Sequence, residues 1–425
     1  MPNSLQHYPG RRFGITVLLS ILAFSAVCRS QTQDWPQFRG PGGDGRSGSL
    51  RLPVRWSETQ NVRWKTAIHD RGHSSPVVLG GQIWLTTASA DGRRMYALSL
   101  DAASGRIRQD RLVFENPEPQ FCHPMNSYAS PTPVIEPGRV YVHFGRYGTA
   151  CLDTATARTL WERRDLLCDH WRGPGSSPIL YGNLLILTFD GYDVQYLAAL
   201  DKKTGRTVWK TDRSTDFGQE DGDLRKAFST PVVIETGGRT QLISCGSHEA
   251  MAYDPLTGRE LWKVNYQPGF TSTARPLFDR QLLYLFSGFG RSELLAVRPG
   301  GTGNVTASHV AWRSGQSIPQ KPSAVLVNGM LLMVHDSGMA SCIEASTGRT
   351  LWQERIGGQF SASALEAAGH VYFFDHEGTA TVIAADKTFR RLAVNRLNEG
   401  CMASPAVSGK ALILRTASFL YRLHE

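Results

Sequence analysis

The sequence predicts an all-β chain: an eight-bladed β-propeller of four-stranded blades, with an N-terminal strand closing the last blade. Three observations predict it. Composition is the first, with 42 glycines and ten tryptophans in 425 residues and only 20% charged residues, which suits a many-turned β protein and argues against disorder or a coiled coil. Second, six of the tryptophans, Trp64, Trp161, Trp209, Trp262, Trp312 and Trp352, recur at one place in a repeat of roughly 48 residues. Third, a phrase of small and hydroxyl residues leading into an apolar strand recurs between them, as in Ser74-Ser75-Pro76-Val77-Val78 and Ser229-Thr230-Pro231-Val232-Val233.

The first element is an address. Arg11 and Arg12 precede an apolar run from Phe13 to Val27, fifteen residues long, too short to span a bilayer comfortably and typical of a secretory signal. Residues 1–30 are assigned to it, with cleavage after Ser30. Cys28 admits a lipoprotein reading and the arginine pair a twin-arginine one, both with poorly fitting neighbours. Removing residues 1–30 takes three arginines and no acid, so the net charge falls from +9 to +6. No run of five basic residues occurs and no later stretch reaches eighteen apolar ones. Nucleic acid is therefore not an expected partner, and the mature chain is expected to have no transmembrane segment and to be a periplasmic or secreted monomer.

The second element is an extension, residues 31–60, carrying Asp34-Trp35-Pro36-Gln37-Phe38-Arg39-Gly40. It departs from the repeat and is expected to pack on the ring. The third is the ring itself, residues 61–425. Thr204-Gly205-Arg206-Thr207-Val208-Trp209, Thr257-Gly258-Arg259-Glu260-Leu261-Trp262 and Thr347-Gly348-Arg349-Thr350-Leu351-Trp352 share a hairpin turn opening the outermost strand, D, where glycine supplies positive φ. Thr156-Ala157-Arg158-Thr159-Leu160-Trp161 is the same phrase with alanine at the glycine position. The hydroxyl phrase opens strand A, and two short apolar runs between the phrases supply B and C. Strand A starts near residues 76, 133, 178, 231, 276, 324, 364 and 405, and strand D lies near 64, 109, 161, 209, 262, 312, 352 and 392. The first D has no strands before it and the last A–C set has no D after it. Joining them closes the ring and removes a free edge.

Ala199-Leu200-Asp201-Lys202-Lys203-Thr204-Gly205-Arg206-Thr207-Val208-Trp209 resembles the pyrroloquinoline-quinone-like β-propeller repeat, and the resemblance covers about residues 60–425. That repeat builds both quinoprotein alcohol dehydrogenases and BamB-type outer-membrane assembly proteins. The resemblance implies the eight-bladed fold without fixing function.

Residues just before strand A are expected to converge on one channel mouth. Reading that slot gives His73, Tyr128, Arg172, Lys226, Arg275 and Lys321, with His123, Asn126 and His170 slightly upstream. They form a mostly cationic polar ring, suited to an anionic ligand or a glycan held by charge-assisted hydrogen bonds. Cys122 and Cys168, eleven and ten residues before Pro133 and Pro178, are the candidate disulfide. The alternative, zinc on Cys122-His123 with Cys168-Asp169-His170, has spacings that match no ligand knuckle, so no metal is expected. Asp216 to Asp223 reads as a solvated acidic turn rather than a calcium loop. Asn304-Val305-Thr306 is a glycosylation sequon with meaning only in a eukaryotic secretory pathway.

The favoured function is a non-catalytic exported binding or scaffold propeller, BamB-like, with no cofactor and with a cell-envelope protein or an anionic glycan as partner. One alternative is a carbohydrate-active enzyme of the uronate lyase type, using Arg172 or Lys226 against a carboxylate and Tyr128, His73 or His170 for proton transfer. The other is a quinone-dependent dehydrogenase with pyrroloquinoline quinone and calcium. The resemblance implies that such enzymes carry a dipeptide of adjacent cysteines, and none occurs here.

Overall fold

The computed structural model describes residues 1–5, 34–48, 51–266 and 269–425. The chain falls into two units, Met1–Gln31 and Thr32–Glu425. Of the first, only residues 1–5 are described, without regular secondary structure. The secretory signal expected over residues 1–30, with Cys28, lies almost wholly outside the described residues.

The second unit is an eight-bladed propeller. Blade 1 comprises Val77–Leu79, Gln82–Ala88, Arg94–Asp101 and Ile107–Glu115, hydrogen-bonded in that order. Blades 2 to 7 repeat this order, and blade 8 combines Ala406–Ser408, Ala411–Arg415 and Phe419–Leu423 with Val62–Ala67 from the N-terminal side. That last strand pairs antiparallel with Phe419–Leu423, Lys65 opposite Tyr421. The ring is closed as its two strand counts predict. Strands B and C are buried along nearly their whole length, and the apolar clusters lie between neighbouring blades.

The repeat explains itself through contacts between blades. Trp161 donates its indole N–H to the Lys202 carbonyl in the next blade at 3.0 Å, and Trp209 to Pro255 at 3.1 Å. The turn glycine of that next blade lies against the same ring: a Cβ on Gly205 would sit 2.7 Å from Trp161, and one on Gly258 2.5 Å from Trp209. These glycines, with φ of +73°, are thus required twice, for the turn and for the tryptophan behind it. The exception follows the same rule. Ala157 fills the glycine position, φ +55°, where the preceding blade offers Gln109 instead of tryptophan, its side-chain amide donating to Ala155 O at 3.1 Å.

The extension does more than pack on the ring: its first part crosses the central channel. The innermost strand of blade 1 touches those of blades 2 and 8, and that of blade 6 touches that of blade 7; the segment bonds to five blades, at or just before these strands. Trp35 and Val78 of blade 1 exchange backbone hydrogen bonds at 2.8 Å, and Ile135 of blade 2 donates to Pro36 O at 2.8 Å. Arg275 of blade 5 donates to Phe38 O at 2.7 Å. Arg39, wholly buried, donates to Ala324 O of blade 6 at 2.5 Å and to Asp44 O at 2.6 Å. Arg46–Ser47 then adds in parallel to Leu365–Ala367 of blade 7. Gly43 and Gly45, φ +67° and +76°, leave room for Arg275 and Arg39. The Trp-Pro-Gln-Phe-Arg-Gly phrase is a channel plug. Further along, Leu52 and Trp56 are buried against Tyr372 and Phe374 of blade 7.

Candidate functional site

Above the plug lies a cavity of about 560 Å³ whose lining includes Phe38 and residues preceding the A strands. Its wall is a belt built from the hydroxyl phrase. The backbone N–H of Ser75 donates to Thr132 Oγ1 at 2.9 Å, that of Thr132 to Ser177 Oγ at 2.9 Å, and that of Ser177 to Thr230 Oγ1 at 3.0 Å. After blade 5 the belt resumes from Arg275 N–H through Ser323, Ser363 and Ser404, and Ser404 N–H returns to Ser75 Oγ at 3.1 Å. Each hydroxyl oxygen accepts from the preceding blade, and its O–H is a further donor at the cavity wall. All seven hydroxyls line the cavity. Turn chemistry expected of this phrase is therefore a staple between blades as well.

Arg275 occupies the eighth belt position. It lies in the belt behind the cavity lining, and its guanidinium bonds to Phe38 O and to Pro231 O. Burial pushes its pKa down to about 10. Two more buried arginines adjoin the belt and plug, Arg39 and Arg415, both pushed by burial to about 9. Arg415 donates to Ser74 O at 3.0 Å and to Thr86 O at 2.9 Å. Their terminal nitrogens donate mainly to carbonyls, the Nε of Arg39 and of Arg415 is buried without a partner, and Asp44 is the carboxylate that acts on Arg39 and Arg275.

At the mouth the expected cations are present but paired. Arg172 binds Asp223 through both carboxylate oxygens, at 2.8 and 2.7 Å, and Lys226, fully buried, reaches the same carboxylate. Burial lowers the Lys226 pKa, and the Arg172 bonds and Lys226 hold the Asp223 carboxyl at about 2. Lys321 pairs with Asp336 at 2.5 Å. At the mouth Arg172 and Lys226 thus share one carboxylate and Lys321 has its own, and further positive charge sits in arginines around the belt and plug. Asp223, read from sequence as part of a solvated turn, is a wall residue on a short 3-10 turn, Gly222–Arg225.

The other predicted residues divide. His73, His123, Asn126, Arg172 and Lys321 line the cavity. His73 is kept neutral by burial, then by Arg415, with a pKa near 3. His123 is lowered by burial and by Arg172, and its Nδ1 accepts from Met125 N–H at 3.2 Å. Asn126 Nδ2 donates to Arg172 O at 2.9 Å and Pro174 O at 3.1 Å. Tyr128 lies in a small side recess, its hydroxyl on Gln120 O at 2.6 Å. His170 is buried beneath the wall, stacked on Phe189, with burial lowering its pKa to about 4. Lys226 and Arg275 are structural neighbours rather than lining groups.

Cys122 and Cys168 are not joined: both are free thiols. Cys122 Sγ lies beside His123 O and Arg172 O, whereas Cys168 Sγ points to Val194 O and His170. Among the described residues no group of three or more His, Cys, Asp or Glu converges as a metal site, and no helix is long and apolar enough to cross a membrane.

A family model described as outer membrane protein assembly factor BamB matches residues 53–164, 113–251 and 246–418. Among proteins with curated descriptions, none matches by sequence. Solved structures with the same fold include the quinohemoprotein alcohol dehydrogenase of Comamonas testosteroni, at 12% identity and a TM-score of 0.68 over 92% of this chain and 80% of that one. BamB of Moraxella catarrhalis matches at 12% identity and 0.59 over 85% of this chain and 99% of that one. A europium-containing methanol dehydrogenase matches at 12% and 0.64 over 91% and 90%. At such identities the likeness concerns the fold alone.

Proposed function

From the premise that this chain belongs to the propeller family described as outer membrane protein assembly factor BamB, we propose an exported, non-catalytic binding propeller whose plugged cavity holds an anionic glycan. The observation that carries this reading is the cavity itself: a cup closed by Phe38, walled by seven hydroxyls and backed by three buried arginines. Hydroxyl donors satisfy sugar oxygens, and three buried arginines against the single carboxylate of Asp44 raise the local potential for an anion. Arg172, partly exposed beside Asp223, is the group placed to meet a sugar carboxylate.

The lyase reading has less support. Of its proton-moving candidates, Tyr128 and His170 lie off the cavity and His73 is held neutral. His123 and Arg172 remain at the wall with His73, whose pKa near 3 makes it a weak base. A quinone with calcium does not fit these residues: among the described residues Asp223 is the one carboxylate lining the cavity, both its oxygens are taken by cations, and no adjacent cysteines occur in the sequence.

Calorimetric titration with oligogalacturonate and with a neutral oligosaccharide of equal length tests the reading. Binding of the charged sugar alone, unaltered on recovery and weakening as salt rises, is expected. Equal binding of both sugars, binding of neither, or release of an unsaturated product would overturn it.

A further inference from the structure

Beside the cup, the rim formed by blades 2 and 3 carries aromatic side chains that are partly exposed. Phe121 is 52% exposed and Trp171 43%, with Tyr192 at 36%. Their rings form a chain, 5.5 Å from Phe121 to Trp171 and 5.9 Å from Trp171 to Tyr192, tilted by 48° and 51°. Both ends of the chain are tied to the cavity wall. Phe121 is two residues from His123, Trp171 adjoins Arg172, and the Tyr192 hydroxyl donates to Asp221 at 3.2 Å, two residues from Asp223.

Trp171 is also held in a strained backbone. Its φ is +56°, and Arg172 N–H donates back to His170 O at 2.5 Å, closing a γ-turn about the tryptophan. Asp169 Oδ1 secures the turn by accepting from Trp171 N–H at 2.8 Å. A bulky residue at positive φ costs free energy, and such strain gathers at ligand clamps. Here the strain presents an indole to solvent, while the following residue, Arg172, faces the cup.

We propose that this aromatic rim is a stacking track for the sugar rings that follow the one seated in the cup, so that the glycan is bound through its end and continues over Trp171. The inference rests on the glycan reading of the cup and adds a second binding site to it. A pyranose presents an apolar C–H face that packs on the electron-rich face of an aromatic ring. Successive rings tilted by about 50° to one another offer separate faces, as a chain of linked sugar rings needs, rather than one flat patch. Polar groups edge the track where sugar hydroxyls need partners: Tyr192 with Asp221 and Arg172 with Asp223.

The test uses galacturonate and its linear tetramer against the wild type, Trp171→Gly and Phe121→Ala. In the wild type the tetramer is expected to bind about tenfold more tightly than the monomer, the gain supplied by burying roughly 55 Å² of apolar surface. Trp171→Gly erases that gain, leaves monomer affinity unchanged, and keeps the melting temperature at or above the wild-type value because glycine accepts the positive φ. Phe121→Ala reduces the gain in part. Monomer binding without any gain with length in the wild type, or a gain that survives Trp171→Gly, overturns the rim while leaving the cup standing. Loss of monomer binding together with stability in Trp171→Gly overturns it in favour of a structural role. Failure of both ligands to bind the wild type removes the cup and the rim together.

Discussion

Asp223→Asn separates the electrostatics of the cup from its shape. In the folded chain this carboxylate accepts two hydrogen bonds from Arg172 and neutralises the buried Lys226. Its pKa of about 2 against an ordinary 3.8 corresponds to about 2 kcal/mol of stabilisation, reduced to roughly 1–2 kcal/mol because part of the group meets solvent. Asparagine keeps the shape but leaves Lys226 charged, buried and uncompensated, which adds a penalty. We expect a total loss of roughly 2–3 kcal/mol at pH 7, a melting temperature lower by about 3 °C for a unit of this size. The sign with pH follows from a lowered carboxyl pKa. The stabilisation is complete above about pH 4 and is lost as pH falls through 2, so the two melting curves converge in acid. Lys226→Met added to Asp223→Asn recovers most of the loss, because no unpaired charge then remains buried. The variant also adds one positive charge to the cup and is expected to bind oligogalacturonate about fivefold more tightly at low salt. Scanning calorimetry and titration read both effects. Unchanged stability together with unchanged affinity would mean that Asp223 neither neutralises Lys226 nor sets the charge of the cup.

Three further outcomes follow from the fold. Ser75→Ala removes the acceptor for Ser404 N–H where the last blade meets the first; it should cost about 1–3 kcal/mol, with Ser75→Thr restoring the melting temperature, and an unchanged melt for alanine would contradict the belt. Gly45→Ala places a Cβ 2.5 Å from Arg39 Nη2 and 2.8 Å from Ala364 O at φ +76°. It should release the plug, measured as faster proteolysis within residues 34–48. His143 and His170 are fully buried with pKa values lowered to about 3 and about 4, so the unfolded chain binds more protons below pH 6.5. Stability should therefore fall from pH 6.5 toward pH 4, by roughly 2 kcal/mol per histidine at pH 5, and His170→Phe should flatten the thermal melting profile over that range.

The ring was legible because its signals are periodic. Trp209, Gly205 and the Ser229-Thr230-Pro231 phrase recur in register, and two counts of strands agree on a closed ring with Val62–Ala67 as its last strand. The Gly205–Trp161 packing was also within reach, since alanine replaces glycine only where Gln109 replaces tryptophan one blade earlier. The site was harder because its residues come from loops of unequal length, which fix direction only in three dimensions. Arg275 stands in the belt position of Ala274-Arg275-Pro276, so a stricter alignment of that phrase would have moved it from mouth to belt. Asp223 gave no such sign: its partner Arg172 lies 51 residues away, and a local run of acids reads as solvated. The plug phrase occurs once in the chain, so periodicity could not say that Trp35 and Arg39 enter the channel.

The most direct measurement of the central claim is a crystal structure of the protein grown with tetragalacturonate. A terminal sugar is expected in the cup, its ring over Phe38, its hydroxyls on belt residues such as Ser177, Thr230 and Ser363, and its carboxylate on Arg172. A saccharide bound elsewhere on the propeller, or an occupied cup in which the carboxylate points away from every arginine, would contradict it.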